Sequence, residues 1–318
     1  MNNDDVDLKK LKSIGISHSR KTTWSCRKKF WYTINNWYNP SSSVTKNAYF
    51  GNLIHHLAEL VLPNYKPENH NITFYHHLCR EYDDRNAKDL TSVDPNDLEK
   101  DKGLAISVFM VFVEMYFSEK ENVLSKLKKS YRLLKSELYL KRQKVGKHVY
   151  NIKIDQVLQK YDDKKIYLLD FKCKSKIDEY NLLKLLSFEQ QLFLYAKGFE
   201  ARYQKKVAGI YQLLIRKPDL RMGKKDNNDF ATFIKRVAKD VEEKPDHYFK
   251  PLFVFISDKM METFTQEENA LMNEIYTAIE QGESAFYKNT QMCLKPFTCD
   301  FIDACANGGD TGLLLKHF

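Results

Sequence analysis

The sequence lacks two features that would place the protein in or across a membrane. Its longest apolar stretch, residues 103–117, is shorter than the roughly 20 residues that a membrane-spanning helix needs, and it contains Glu114. The first twelve residues, MNNDDVDLKKLK, are charged throughout and lack the apolar segment of a secretory signal. We therefore expect no membrane association and a cytoplasmic location, where the six cysteines stay reduced instead of forming disulfides.

The composition excludes a disordered chain but does not identify a partner. The chain has 318 residues, of which 43% are hydrophobic and 13% aromatic, so it can bury a sizeable core. Lys and Arg outnumber Asp and Glu by 51 to 42, which gives a net charge of +9. Such an excess is compatible with nucleic acid binding and also with an ordinary basic surface.

Hydrophobic periodicity predicts a single α/β domain with a mixed central β-sheet flanked by helices. The predicted helices are residues 24–38, 50–62, 103–132, 180–203, 229–243 and 265–282, the last with a capping box formed by Thr265 and Glu268. The predicted strands are residues 136–140, 149–159, 166–172, 207–215 and 252–256. We divide the domain into a helical N-terminal part (about 16–132), an α/β core (about 133–260) and a C-terminal helix with a Cys-rich segment (about 261–318).

Two aspartates end neighbouring predicted strands. Asp155 interrupts the alternating pattern of residues 149–159, and Asp170 ends a buried strand, with Lys172 two positions further on. Because residues 161–165 predict a short turn, the two aspartates are expected to lie side by side at one end of the sheet. Adjacent carboxylates repel each other unless a cation lies between them, and their oxygen atoms suit Mg²⁺ or Mn²⁺. A lysine beside such a metal orients water or stabilises the charge that builds on a phosphate.

The order of several weak motifs carries more information than any one of them. The motif Asp170-Phe171-Lys172 alone is better explained as an ordinary strand end with a solvated lysine. The helical pairs, Gly51 with His55 and Gln191 with Tyr195, are by themselves ordinary helix surface. Taken together, the pattern resembles the PD-(D/E)xK nuclease superfamily, specifically its RecB-type exonuclease branch, which includes phage members. Over residues 16–306, the resemblance is carried by Gly51-x-x-x-His55, Ile154-Asp155, Asp170-x-Lys172 and Gln191-x-x-x-Tyr195.

The resemblance implies a restriction-endonuclease-like core and a set of site residues. It implies that Mg²⁺ or Mn²⁺ is bound by His55, Asp155 and Asp170. The residues that it places in catalysis or facing the DNA groove are Asp155, Asp170, Lys172, Gln191 and Tyr195. On a helix His56 points about 100° away from His55, so only one is expected to bind the metal, and the spacing from Gly51 favours His55. Glu137, on the preceding strand, is a minor candidate because such nucleases often carry an acid there.

The function that follows from the resemblance is a metal-dependent DNA exonuclease that acts at DNA ends in recombination, repair or replication. A structure-specific endonuclease of the same fold and a catalytically inactive DNA-binding or scaffold protein remain as alternatives. The expected partners are DNA, as ends or single strands, and a protein of recombination or replication. For a phage-encoded member the location would be the host cytoplasm.

The cysteines form a second pattern. Cys293, Cys299 and Cys305 are each separated by five residues, and Cys26 lies far upstream. This arrangement resembles iron-staple nucleases, such as AddB-type subunits and the CRISPR-adaptation nuclease, which hold a [4Fe–4S] cluster with one early and three late cysteines. Many of those have a first late spacing of C-x2-C where this chain has C-x5-C. Four thiolates also suit zinc, and free cysteines are commonly buried small hydrophobes, so these alternatives remain open.

Basic residues and aromatics alternate in residues 17–32, which could hold phosphates and stack bases of a single strand. The DNA-binding candidates in this segment are Arg20, Lys21, Arg27 and Lys28. A solvated helix face is an equally good explanation of the same pattern.

Overall fold

The structure is a computed structural model that describes residues 15–38, 44–90, 93–186, 188–227, 229–294, 298–309 and 311–316. The N-terminal residues on which the expectation of no secretory signal rests lie outside this part of the chain. Among the helices that the structure describes, none is both long and apolar enough to cross a membrane.

The chain alternates between helical and strand segments, which confirms the predicted α/β class. The α-helices are α1 His18–Thr22, α2 Arg27–Ile34, α3 Val44–Val61, α4 Ile72–Arg85, α5 Ala87–Leu90, α6 Pro95–Tyr116, α7 Val123–Ser130, α8 Glu179–Leu186, α9 Gln190–Tyr203, α10 Phe230–Glu243, α11 Pro245–Tyr248, α12 Asp258–Gln281 and α13 Ile302–Ala306. The strands are β1 Ile16–Ser17, β2 Trp37–Tyr38, β3 Tyr131–Val145, β4 His148–Lys160, β5 Ile166–Lys174, β6 Val207–Arg216, β7 Phe249–Phe255 and β8 Leu315–Lys316.

Within the described residues, six strands form one mixed sheet around β4. One edge of β4 pairs with the long antiparallel strand β3, and the other edge pairs with β5 over Gln156–Gln159 and with the short parallel strand β1 at Tyr150 and Asn151. The sheet continues from β5 to β6 in parallel and from β6 to β7 in antiparallel orientation. Between its partners β1 and β5, the edge of β4 at residues 152–155 pairs with no described strand, so the sheet is split beside Asp155.

Helices cover both faces of the sheet. One face packs against α9, α12 and the C-terminal segment, through buried residues such as Ile154, Leu194 and Ile275. The opposite face packs against α3, α6 and α10, through residues such as Leu57, Phe109 and Val237. A small antiparallel pair of β2 and β8 joins the N-terminal part to the C-terminal segment. The split in the sheet therefore lies between two separately packed helical layers.

The predicted elements are present, but several predicted helices have wrong boundaries, and two of them are each two helices in the structure. The predicted helix 103–132 is two helices, because α6 ends at Tyr116, Asn122 caps the start of α7, and Tyr131 begins a strand. The predicted helix 180–203 is likewise interrupted between α8 and α9.

The capping box predicted for the last long helix is wrong. The α12 helix begins at Asp258, where the side chain of Ser257 accepts a hydrogen bond from the backbone N–H of Met260. Thr265 lies inside the helix and donates its hydroxyl to the carbonyl of Met261 at 2.6 Å. The apolar face of α12, which begins with buried Met261 and Phe264, extends the helix past the predicted start.

Candidate functional site

Polar side chains from four neighbouring strands meet at one level of the sheet. The β3–β4 register pairs Ser136 with Gln156 and Leu138 with Ile154, so Glu137 lies opposite Asp155. Continuing the β4–β5 register by one residue beyond its last pair places Asp155 next to Asp170. On the other side, Asp170 pairs with Gln212 of β6, whose amide donates to Asp170 Oδ2 at 3.2 Å.

A local distortion of the strands sets the direction of these side chains. Ile154 and Val157 are three residues apart but pack in the same core, so the two-residue alternation of β4 breaks at Asp155. Opposite it, Glu137 has a φ of 49°, a left-handed conformation that is uncommon for residues other than glycine. Asp155 Oδ2 accepts a hydrogen bond from the backbone N–H of Phe171 at 2.7 Å, in place of a hydrogen bond between the backbones of the two strands. Such irregularities commonly redirect side chains next to active sites.

The helix α3 brings His55 to the carboxylates. It approaches β5 closely at Gly51, where an added methyl carbon would lie in van der Waals contact with Cys173 Cβ at 3.4 Å. One turn later, His55 Nδ1 lies 3.4 Å from Asp155 Oδ2 and 4.0 Å from Glu137 Oε1. The neighbouring His56 is buried and directs Nε2 to the carbonyl of Leu78 at 3.1 Å, so only His55 faces the site.

One group of side chains has the spacing of a metal centre. Among the described residues, a ligand atom from each of His55, Glu137 and Asp155 lies within 4.8 Å of the other two. One imidazole nitrogen and carboxylate oxygens form a hard donor set that suits Mg²⁺ or Mn²⁺. Asp170, a predicted ligand, lies beside this group and not in it, since its oxygens bond to Lys172 and Gln212.

Each carboxylate of the site has a basic partner, and that of Glu137 is Lys153. Burial raises the pKa of Asp170, a shift that Lys172 opposes and the neighbouring Asp155 carboxylate reinforces. For Asp155 the effect of burial is outweighed by His55 and by the Phe171 N–H, so its pKa is lowered. Burial opposes charge on His55 as well, yet Asp155 holds the pKa of the imidazole above its ordinary value. The opposite shifts of these two groups reflect one interaction, the attraction between a protonated His55 and an ionised Asp155.

A chain of hydrogen bonds fixes the lysine. Lys172 Nζ donates to Asp170 Oδ1 at 3.2 Å and to Gln191 Oε1 at 2.8 Å, and the Gln191 amide donates to the Tyr195 hydroxyl. The α9 helix can hold Gln191 there because it packs tightly on β4 at Gly198. An ammonium group has three donors, so Lys172 keeps one for a phosphate oxygen or a water molecule. The structure thus brings Lys172, Gln191 and Tyr195 together with both aspartates.

Sequence reasoning missed or undervalued three residues at this site. Glu137 was only a minor candidate, although it belongs to the tightest ligand group. Gln212 was not considered, and its signal was a polar residue within the apolar strand VAGIYQLLI. His18 of α1 has a pKa lowered to about 4 by burial, with Lys21 and Lys172 as further positive neighbours. A neutral imidazole therefore lies near Lys172, and no short motif indicated it.

The four predicted cluster cysteines lie in one corner of the fold. The backbone N–H of Asn289 donates to Cys26 Sγ at 3.4 Å, and Cys293 Sγ lies 3.8 Å from the carbonyl of the same residue. Burial raises the pKa of the Cys299 and Cys305 thiols, and the nearby Cys26 raises both further.

The spacing of the four sulfur atoms bears on the metal that they could hold. Among the described residues, no three of these sulfur atoms lie within 4.8 Å of one another. Tetrahedral zinc with bonds of about 2.3 Å would bring its sulfurs closer than that, whereas a four-iron cluster fills the space between its cysteines. No three of these sulfur atoms are thus as close as the thiolates of a bound zinc ion, and a cluster at this corner stays a prediction.

Cys79 and Cys173 lie apart from this corner and have the properties of inert thiols. Burial raises the pKa of each to about 12. Cys79 is buried and Cys173 is partly buried, as is common for free cysteines.

One predicted DNA-binding residue is wrong. Lys21 is 2% exposed, and its ammonium forms a salt bridge of 2.5 Å with the buried carboxylate of Glu268 in α12, so it does not face solvent.

The other three DNA-binding candidates lie nearer the surface. Arg27 and Lys28 form ion pairs with Glu274 and Glu283, and Arg20 donates to the side chain of Asn36 at 2.9 Å. Their role in binding DNA stays a prediction.

Comparison with protein-family models and with curated proteins found no match to this chain. The interpretation of the site therefore depends on its geometry and on the sequence pattern.

Proposed function

We propose that the protein is a metal-dependent deoxyribonuclease that removes nucleotides from DNA ends. The observation that carries this proposal is the meeting of Asp155 and Asp170 with a lysine that is held by two acceptors and keeps one donor. A structural ion pair of Lys172 and Asp170 would be complete by itself. It would not need a second carboxylate and a histidine at the same point. The net charge of +9 favours a polyanionic substrate.

The residues divide the chemistry between them. A Mg²⁺ or Mn²⁺ ion would be held by His55, Glu137 and Asp155, with Asp170 beside them. The metal would polarise the phosphate and lower the pKa of a bound water. In hydrolysis a water oxygen forms a bond to phosphorus while the bond from phosphorus to the leaving deoxyribose oxygen breaks, and the proton lost by the water passes through solvent to that oxygen. Lys172 directs its remaining N–H to the phosphate oxygens, where negative charge accumulates in the transition state.

The surrounding residues hold this lysine in position. Gln191 accepts from Lys172 and in turn donates to Tyr195, so the amide orientation is fixed from both sides. Gln212 holds the second oxygen of Asp170. Because these contacts are made before DNA binds, the ammonium does not have to be reoriented during the reaction.

The cysteine corner has a structural role in this proposal. A [4Fe–4S] cluster, with zinc as the alternative, would join Cys26 to Cys293, Cys299 and Cys305 and so tie the two ends of the chain together. Contacts independent of the thiols already bring these segments together, such as the backbone hydrogen bond of 3.0 Å from Lys28 to the carbonyl of Tyr287. A cross-link over so long a loop restricts the unfolded chain strongly.

Incubation with end-labelled linear DNA and closed circular DNA tests the proposal. With Mg²⁺ or Mn²⁺ the linear DNA should be degraded from its ends while circles survive, and chelator should stop the reaction. Asp170→Asn should abolish cleavage and keep most DNA affinity, since phosphate contacts supply it. Asp162→Asn, in the exposed turn at the other end of the same hairpin, is the matched control. Nicking of circles would instead identify an endonuclease, and cleavage of neither DNA, or full activity of Asp170→Asn, would refute the proposal.

A further inference from the structure

The segment between β5 and α9 leaves the candidate site and returns to it. Lys172 in β5 and Gln191 in α9 are joined by the hydrogen bond of 2.8 Å, so residues 173–190 begin and end at the site. We refer to residues 174–188 as the arm; Ser187 lies outside the described residues. Any substrate strand that reaches Lys172 passes close to the arm.

The arm presents apolar side chains on two sides, and only one side is covered. Leu186 is buried and Leu182 packs against the core, which fixes the helix α8 on the domain. On the other side Tyr180 is 67% exposed, Leu185 62% and Phe188 77%, which is the largest exposure of any big apolar side chain in the described residues. One short segment thus leaves three large apolar side chains open to solvent, as an interaction surface does.

The charge of the arm suits a polyanion. Lys174 and Lys176 are exposed, and no carboxylate in the described part of the chain lies within ion-pair distance of either. Lys184 holds its ammonium 3.8 Å above the ring of Tyr180. The nearby Asp178 is occupied in capping α8, where it accepts from the backbone and side chain of Asn181.

There is room for a planar group beside the arm. A cavity of about 510 Å³ lies between Phe188 and the helix α12, and its lining includes Gln190, Phe193 and Phe264. Aromatic side chains on its walls and an amide at its rim are groups that stack on a base and bond to its edge.

We propose that the arm binds single-stranded DNA next to the reacting phosphate, with bases stacked on Phe188 and Tyr180 and phosphates held by Lys174 and Lys176. This inference rests on the proposed nuclease function and names its substrate as an unpaired DNA end. Stacking on a side chain requires a base whose face is free, and base pairing in a duplex leaves only the terminal pair accessible. Exposed rings alternating with lysines are therefore suited to a single strand and not to a helix.

The test is equilibrium binding in chelator, so that cleavage does not interfere. Fluorescence anisotropy measures the affinity of the full-length protein for labelled oligothymidylate and for a blunt hairpin duplex. Phe188→Ala should weaken oligothymidylate binding by about 5-fold or more and leave duplex binding within about 2-fold, as expected for the loss of one stacked base. The control is Phe255→Ala, which removes a ring of 66% exposure from the edge strand β7 and should change neither affinity. Oligonucleotide containing iodouracil should photocrosslink to Phe188 or Tyr180.

Three results would overturn the inference. The first is an unchanged affinity of Phe188→Ala for oligothymidylate, with crosslinks elsewhere. The second is an equal loss for single strand and duplex, which would make the arm a general phosphate contact. The third is a wild-type dimer that becomes a monomer in Phe188→Ala, because a second copy would then cover the arm. A selective loss of single-strand binding in a protein that never cleaves DNA would support the arm and refute the proposed nuclease.

Discussion

Lys21 and Glu268 form a buried ion pair between α1 and α12, and its removal tests whether this lysine acts in folding or in DNA binding. The two side chains are 2% and 4% exposed and 2.5 Å apart, although they are 247 residues apart in sequence. Methionine matches lysine in length, so Lys21→Met fills the same space and removes only the charge. Glu268 then remains buried without a cation.

The magnitude follows from that uncompensated charge. Breaking one partner of a buried pair costs about 3–5 kcal/mol, whereas replacing both partners by apolar residues of similar volume is commonly near neutral. We expect Lys21→Met to lose that much stability at neutral pH and Lys21→Met/Glu268→Met to recover most of it.

Urea denaturation followed by circular dichroism, at about pH 7, measures these differences. Lys29→Met is the matched control, because Lys29 lies in the same basic segment, is 33% exposed and is 3.8 Å from Asp300. A surface pair of this kind contributes about 0–1 kcal/mol. If Lys21→Met cost less than about 1 kcal/mol and weakened DNA binding more than Lys29→Met, the buried pair would be refuted and the original DNA-contact prediction restored.

Three further predictions concern the site and the cysteine corner. Lys172→Ala should lower the cleavage rate about 100-fold or more with little change in DNA affinity, as expected for a group that acts on the transition state; a parallel fall in affinity would make it only a phosphate anchor. Burial raises the pKa of Asp170 to about 6, so protons compete with the metal for the negative charge of this carboxylate. The Mg²⁺ concentration for half-maximal activity should therefore fall as the pH rises from about 6 to about 8, and a flat profile would contradict this. Cys299→Ser should bleach anaerobically purified brown protein and lower its melting temperature, whereas Cys79→Ser should not bleach it. Colourless wild-type protein with stoichiometric zinc would replace the cluster by zinc, and four freely titratable thiols would refute the staple.

The sequence predicted the centre of the site because local rules position it. A short turn fixes the register of the β4–β5 hairpin, and that register carries Asp155 to the level of Asp170. Two-residue alternation then places Lys172 on the same face as Asp170, and the structure joins them at 3.2 Å. The Gly51-x-x-x-His55 motif favoured His55 over His56. In the structure His55 lies beside Asp155, whereas His56 bonds to the carbonyl of Leu78.

The remaining features depend on contacts that no local pattern specifies. Glu137 reaches Asp155 through a left-handed residue in β3, and a strand pattern does not contain that irregularity. The burial of Lys21 depends on a helix more than two hundred residues away, so its sequence neighbourhood of basic residues indicated the opposite environment. The predicted helix 103–132 failed because helical spacing resumes in residues 123–130 after the polar residues 118–122, and periodicity alone does not mark the break.

The positions of these long-range contacts suggest how the chain ends support the site. Strand β1 lies on the same edge of β4 as β5, and the two are separated by residues 152–155, which on this edge pair with no described strand. The segment that follows β1 is anchored twice, by Lys21 to α12 and by Cys26 to the C-terminal corner. Both anchors therefore hold the structure that borders Asp155, while neither contacts the carboxylates. Loosening either anchor should widen the split in the sheet and weaken metal binding before it affects the Lys172–Gln191 contact, which is made entirely within β5 and α9.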